Sequence, residues 1–253
     1  MRFRPAQASL LLLLTAACAT PPPEPAGVAF SIAADPGDVG AATAEADVAA
    51  ARQKIETFFD APFPEPVRIT IAPDRAAFDA AMPAEWGMIS TECWMVGVGV
   101  ADWLAVLSPA AWSAEACEHD GSDRTEVQGI ITHELVHTYH GQHNPTRDFT
   151  GMDAAGWFVE GLATYVSGQL ETSHAGDAAE AIAEGAAPTE LESAWSGRYR
   201  YGVSGSMVAY IDETYGRGVL VALLPATSEE EILSALGSSE AEFIASWAEW
   251  AGD

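Results

Sequence analysis

The chain has 253 residues, and acidic side chains outnumber basic ones 37 to 11, for a formal charge of −26. Affinity for nucleic-acid backbones comes from Lys and Arg displacing counterions, so this balance argues against nucleic acid as a partner. With 49% apolar and 19% charged residues the chain can bury a sizeable core, which sets aside the disordered and fibrous classes.

Arg2 and Arg4 precede an apolar stretch from Ala6 to Ala17 centred on Leu10 to Leu14. Spanning a bilayer takes about 20 apolar residues, so this shorter stretch reads as a signal peptide over 1–17. It ends Leu14-Thr15-Ala16-Ala17-Cys18, which resembles the lipobox of bacterial lipoproteins, with Thr15 where that motif usually has Leu. Ordinary secretory cleavage near Ala17 or Ala19 is the alternative. The Pro-rich run from Thr20 to Pro25 fits a semi-rigid tether over 18–27. Together these features predict export to the cell envelope, with membrane contact only through a lipid on Cys18. Without that lipid, the same leader predicts a secreted or periplasmic protein. Cys93 and Cys117 are then the remaining thiols, and an exported chain with two thiols usually pairs them.

Residues 28–33 read as a short strand. The apolar positions Val48, Ala51, Ile55, Phe58 and Phe59 recur at helical spacing and predict a helix over 41–59. Val67 to Ile71 alternates as a half-buried strand, and Asp74 caps a short helix through Met82. Two apolar strands, 94–100 and 103–107, follow as a hairpin turning at Ala101-Asp102. Asp123, with Glu126 three residues on, forms a capping box that opens a helix through about Tyr139. Helices are predicted thereafter over 157–168, 203–215, 219–224, 229–236 and 240–250. The expected class is α+β: a mixed sheet and active-site helix, then a mainly helical half, divided as 28–122 and 123–253 of one domain spanning 28–253.

His133-Glu134-Leu135-Val136-His137 is an HExxH pattern. Residues four apart share a helix face, so both imidazoles can reach one metal ion, with Glu134 placed beside it as a proton acceptor. A catalytic zinc site usually has a third protein ligand and an open position. Glu160, in Trp157-Phe158-Val159-Glu160-Gly161-Leu162-Ala163-Thr164-Tyr165, is one candidate. His143 is the other: it stands six after His137, the metzincin spacing. Metzincins, however, need glycine three after the second histidine, where this chain has His140.

The pair of motifs is similar to the peptidase-MA-like gluzincins, whose third ligand is a Glu on the following helix. The resemblance extends over about 67–250 and is firm for 130–165. It implies a zincin-like fold and a Zn2+ ion on His133, His137 and Glu160. It also implies hydrolysis of peptide or protein substrates by Glu134-assisted attack of water. In related enzymes the position of Thr164 supports a ligand; the alternative is a threonine bonded to its own helix. Tyr201 is the candidate for stabilising the developing oxyanion, with Tyr199 and Tyr165 as rivals. A catalytically silent lipoprotein acting as a binding module, and a zinc amidase acting on cell-wall amides, are the alternative functions.

Overall fold

A computed structural model describes residues 28–88 and 90–252. The expected signal peptide and the whole tether over 18–27, with the lipobox cysteine Cys18, lie outside the described residues. The elements run β1 (Phe30–Ala34), α1 (Ala44–Phe59), β2 (Val67–Ala72), α2 (Arg75–Ala81), β3 (Gly97–Val100), β4 (Trp103–Leu107) and α3 (Pro109–Glu115). Then come α4 (Arg124–His143), α5 (Gly156–Ser167), α6 (Asp177–Ala183), α7 (Arg200–Tyr215), α8 (Arg217–Ala222), α9 (Glu229–Leu236) and α10 (Glu240–Gly252). The class is α+β as expected, with a mixed sheet in the first half and helices in the second.

The four strands are ordered β1-β2-β4-β3. β1 pairs parallel with β2, and β2 with β4, because helices cover the crossovers. β3 returns on β4 as an antiparallel hairpin through Ala101-Asp102, with Ala101 at φ 29°. β3 therefore ends the sheet, and one side of its backbone is unpaired among the described strands. It is shorter than the predicted 94–100. Cys93 bonds to Cys117 (Cα–Cα 5.4 Å), and the carbonyl of Trp94 accepts from His119 Nε2 at 2.9 Å. These ties turn the chain away from the ladder before Gly97.

Helix α4 lies against β3, β4, α1 and α5 and is buried on nearly every side from Gly129 to Gly141. That burial explains why its sequence is apolar around the histidines rather than on one stripe. Leu135 and Val136 are fully buried, and Tyr139 stacks on Phe59 with ring centroids 4.5 Å apart. Asp123 caps the helix by accepting from the amides of Thr125 and Glu126, at 2.8 and 3.3 Å. The reciprocal half of the capping box is absent: Glu126 instead meets His119 Nδ1 at 2.7 Å and the amide of Asp120 at 3.2 Å. The helix also runs four residues beyond the predicted Tyr139, to His143.

Helices α5 and α7 are packed backbone to backbone. A Cβ on Gly161 would overlap the carbonyl of Ser204, and one on Gly205 would sit 2.9 Å from Thr164 Cγ2. The glycine after Glu160 is thus a packing requirement that holds the glutamate's helix against α7. α7 itself begins at Arg200, earlier than predicted, which puts Tyr201 in its first turn. Two short helices, α3 and α6, were not foreseen; each is a single seven-residue segment with only one or two buried side chains.

Candidate metal centre

The two histidines of the pattern face α5, and the glutamate of the second motif faces them. His133 Nε2 and His137 Nε2 are 3.1 Å apart. Glu160 Oε2 lies 3.3 Å from the first and 3.6 Å from the second. A tetrahedral zinc ion with bonds of about 2.0–2.1 Å separates its ligands by roughly 3.3–3.4 Å. The three separations fall within about 0.3 Å of that spacing, and this His-His-Glu group could hold a metal ion.

The tautomers agree with that fit. Gln169 Oε1 lies 2.7 Å from His133 Nδ1, so this nitrogen donates and leaves Nε2 as the atom that faces Glu160. His137 Nδ1 is buried with no partner among the described residues, so its only engaged nitrogen is the one turned to the centre. Burial pushes the Glu160 carboxyl up, but His137 and His133 together outweigh it and hold the group well below the usual carboxylate range. Glu160 is therefore ionised, as a ligand must be.

Glu134 is buried beside the centre without joining the ligand group. Its carboxyl is pushed up to about 7, first by burial and also by the nearby Glu160 charge, against His133 and the Gly99 amide, which favour ionisation. Strand β3 lies directly on it: a Cβ at Gly97 would fall 2.6 Å from Glu134 Cγ, and one at Gly99 would overlap the Glu134 carbonyl oxygen. Both glycines are therefore required by the close approach of the edge strand to the helix.

A cleft runs along β3 on either side of His133 and Glu134, as two arms of about 560 and 610 Å³. Tyr201 lines both. Its ring is 6.0 Å from that of His133, stacks on His174 at 5.0 Å and meets Trp195 edge-on at 4.6 Å. Burial raises its phenol above the ordinary tyrosine value. The rival tyrosines face elsewhere. Tyr165 donates to Asp212 at 2.9 Å, and Tyr199 donates to Glu184 at 3.0 Å.

His143 stays outside the ligand group; its ring lies over Tyr139 at 4.4 Å and its Nδ1 donates to the Tyr139 carbonyl at 2.8 Å. His140 is fully buried, with Nε2 donating to the Leu224 carbonyl at 3.1 Å. The Thr164 hydroxyl donates to the Glu160 carbonyl one turn back, at 2.9 Å, and so bonds its own helix rather than the carboxylate. Sequence reasoning missed Gln169, which has no spacing signal linking it to His133. It also missed Phe149, which stands at φ 60° with its ring 6.0 Å from His137.

Residues 110–232 match a family model described as BSP: Peptidase of plants and bacteria. The span takes in α4, α5 and Tyr201 and leaves out the sheet. The match is to a peptidase family, and its description names neither a metal nor a catalytic motif. No curated protein matches the chain. The Cys93–Cys117 disulfide is consistent with an extracellular location, and no described helix is long and apolar enough to cross a membrane.

Proposed function

We propose that this chain is a zinc-dependent metallopeptidase of the gluzincin kind. The observation that carries the reading is the convergence of His133, His137 and Glu160 at near-tetrahedral spacing, beside a buried Glu134 and under the edge of β3 that is unpaired among the described strands. His133, His137 and Glu160 would hold the ion, which when bound supplies Lewis-acid polarisation of the scissile carbonyl and acidifies a water molecule. Glu134 takes the proton of the attacking water and delivers it to the leaving nitrogen. Tyr201 donates a hydrogen bond to the carbonyl oxygen as charge builds there. The unpaired backbone of β3 receives the substrate as an added strand, which orients the scissile bond over Glu134.

Glu134→Gln should keep about one zinc per chain and cleave no peptide, because the carboxylate adjoins the ligands without being one. Glu160→Ala should lose most of its zinc, whereas His143→Ala keeps it. A wild-type protein that holds stoichiometric zinc and cleaves nothing in a diverse peptide library would refute the peptidase reading.

The finer localisation belongs to the same proposal: a lipid on Cys18 holds the domain at the envelope through the Pro-rich tether. Two or more acyl chains give stable anchoring where one gives marginal binding. Cys18→Ala should therefore move the protein out of the membrane fraction. An unmodified wild-type N-terminus near Ala19 would refute lipidation and leave the peptidase reading intact.

A further inference from the structure

The described arginines of this acidic chain are almost all spent. Arg52, Arg68, Arg124, Arg147, Arg198 and Arg217 each pair with a carboxylate, and Arg75 donates to Thr91 and to the carbonyls of Met95, Cys93 and Glu115. Arg200 differs. Among the described residues its guanidinium has no carboxylate partner; it makes a long 3.4 Å contact to the Gly197 carbonyl and also meets the Tyr201 phenol. With 37 acidic residues available to 11 basic ones, an uncommitted arginine is unexpected.

It is also not loose. Its guanidinium carbon lies 5.0, 5.6 and 5.7 Å from the ring centroids of Tyr201, Trp195 and Trp94, so three aromatic faces fix where the charge stands. It lines the cleft arm that contains Tyr201, His133 and Glu134. Three acids share this arm with it: Glu126 is committed to His119 and the Asp120 amide, Glu118 stands exposed, and Glu134 is buried beside the two histidines. The other arm has no basic side chain to offer: Asp148, Asp153 and Glu192 line it, and no Lys or Arg does.

Strand β3 gives this asymmetry a direction. Val96, just before it, borders only the Arg200 arm, whereas Val98, Gly99 and Val100 border only the acidic one. A peptide added antiparallel to β3 therefore runs with its C-terminal end toward Arg200 and its amino end toward the acids. The reverse orientation would set an amine against Arg200 and a carboxylate among three acids.

We propose that Arg200 is a specificity-determining residue that binds a substrate carboxylate. The substrates are then peptides with a carboxylate on the C-terminal side of the scissile bond, either the chain end or an Asp or Glu side chain. This rests on the peptidase reading above and deepens it. A planar guanidinium forms paired hydrogen bonds with a carboxylate, and such charge-assisted contacts discriminate against a neutral amide by roughly 10- to 100-fold.

The test uses the purified zinc-loaded protein and matched peptides of one core sequence. One pair ends in a free carboxylate or an amide; a second pair, amide-ended, carries Glu or Gln within three residues after the cleaved bond. The value of kcat/KM should favour the carboxylate member of at least one pair by roughly 10- to 100-fold, and which pair responds identifies the source. In Arg200→Gln the ratio should fall to within about twofold of unity, and Arg200→Lys should keep an intermediate ratio. Binding of the same pairs to Glu134→Gln protein, followed by Trp94 and Trp195 fluorescence, gives the ratio without turnover. If no peptide is cleaved, the peptidase reading fails while the carboxylate preference is still measured by binding. Ratios near unity for both pairs in the wild type, or a preference unchanged in Arg200→Gln, would overturn the proposal.

Discussion

Replacing Gly97 by alanine tests whether the edge strand sets the position of the Glu134 carboxylate. The new Cβ would lie 2.6 Å from Glu134 Cγ and 2.8 Å from Oε1. To reach ordinary contact the side chain must retreat by about 0.8 Å, from 2.6 to 3.4 Å, or β3 must lift by as much. Misplacing a reacting group by about 1 Å costs on the order of 100-fold, so Gly97→Ala should lower kcat by roughly 10- to 100-fold. Zinc content should hold, because no ligand is touched. Stability should fall by only about 1 kcal/mol, since the obstructing atoms belong to a side chain that can swing. Gly99→Ala differs in kind. Its Cβ overlaps the Glu134 carbonyl oxygen, which is part of the α4 hydrogen-bond ladder and cannot swing away, so strand and helix must part. That variant should lose roughly 3 kcal/mol or more and bind zinc poorly. Thermal melting, elemental analysis and peptide turnover read the three quantities. In a Glu134→Ala background the stability cost of Gly97→Ala should vanish while that of Gly99→Ala persists. Wild-type kcat in Gly97→Ala, or a wild-type melting point in Gly99→Ala, would refute the reasoning.

Cys93 and Cys117 should give no free thiol in denatured, unreduced protein, and the double serine variant should lose roughly 3 kcal/mol for a loop closed over 24 residues; unchanged urea midpoints would contradict this. Burial pushes His140 down to about 3, so between that value and its ordinary 6.5 the folded protein binds fewer protons than the unfolded chain. The stability this group confers is therefore complete above 6.5 and is lost, at about 1.4 kcal/mol per unit, as the pH falls toward 3. His140→Gln, which keeps a donor for the Leu224 carbonyl, should show a shallower loss of metal-free stability from pH 6.5 to 5 by urea titration. Parallel slopes in the two proteins would show that another group dominates.

The legible parts of this fold were those with strong local patterns. The HExxH helix, its Asp123 cap and the β3–β4 hairpin follow from spacing, because their side chains meet partners a few residues away. Of the two candidate third ligands, Glu160 stands opposite both imidazoles, while His143 lies against Tyr139 at the helix end. Long-range partners were not legible. Gln169 reaches His133 across 36 residues, and Gly97 and Gly99 reveal their purpose only once α4 is laid on the strand. The capping box misled for the same reason: Glu126 had a competing partner in His119, which a local motif does not weigh. Thr164 was open between two roles, and the hydroxyl's bond to the Glu160 carbonyl selects the backbone one.

The distance between Glu134 and the substrate strand depends on two clamps that hold β3 to α4 at opposite ends. Near the start of the helix, His119 bridges the Trp94 carbonyl and Glu126, while the Cys93–Cys117 bond ties the same two segments covalently. At the far end, the amide nitrogen of Gln142 donates to the carbonyls of Ala101 and Glu65, at 2.9 and 3.1 Å, and its oxygen accepts from the Glu65 amide at 3.0 Å. Gly141 makes that end possible, because a Cβ there would fall 2.7 Å from the Ala101 amide nitrogen. A strand pinned at one end could pivot and change its separation from Glu134; pinned at both, it cannot. The unpaired backbone of β3 and the buried carboxylate are thus set relative to each other before any substrate arrives. On this arrangement the ordering cost of the site falls on folding rather than on catalysis.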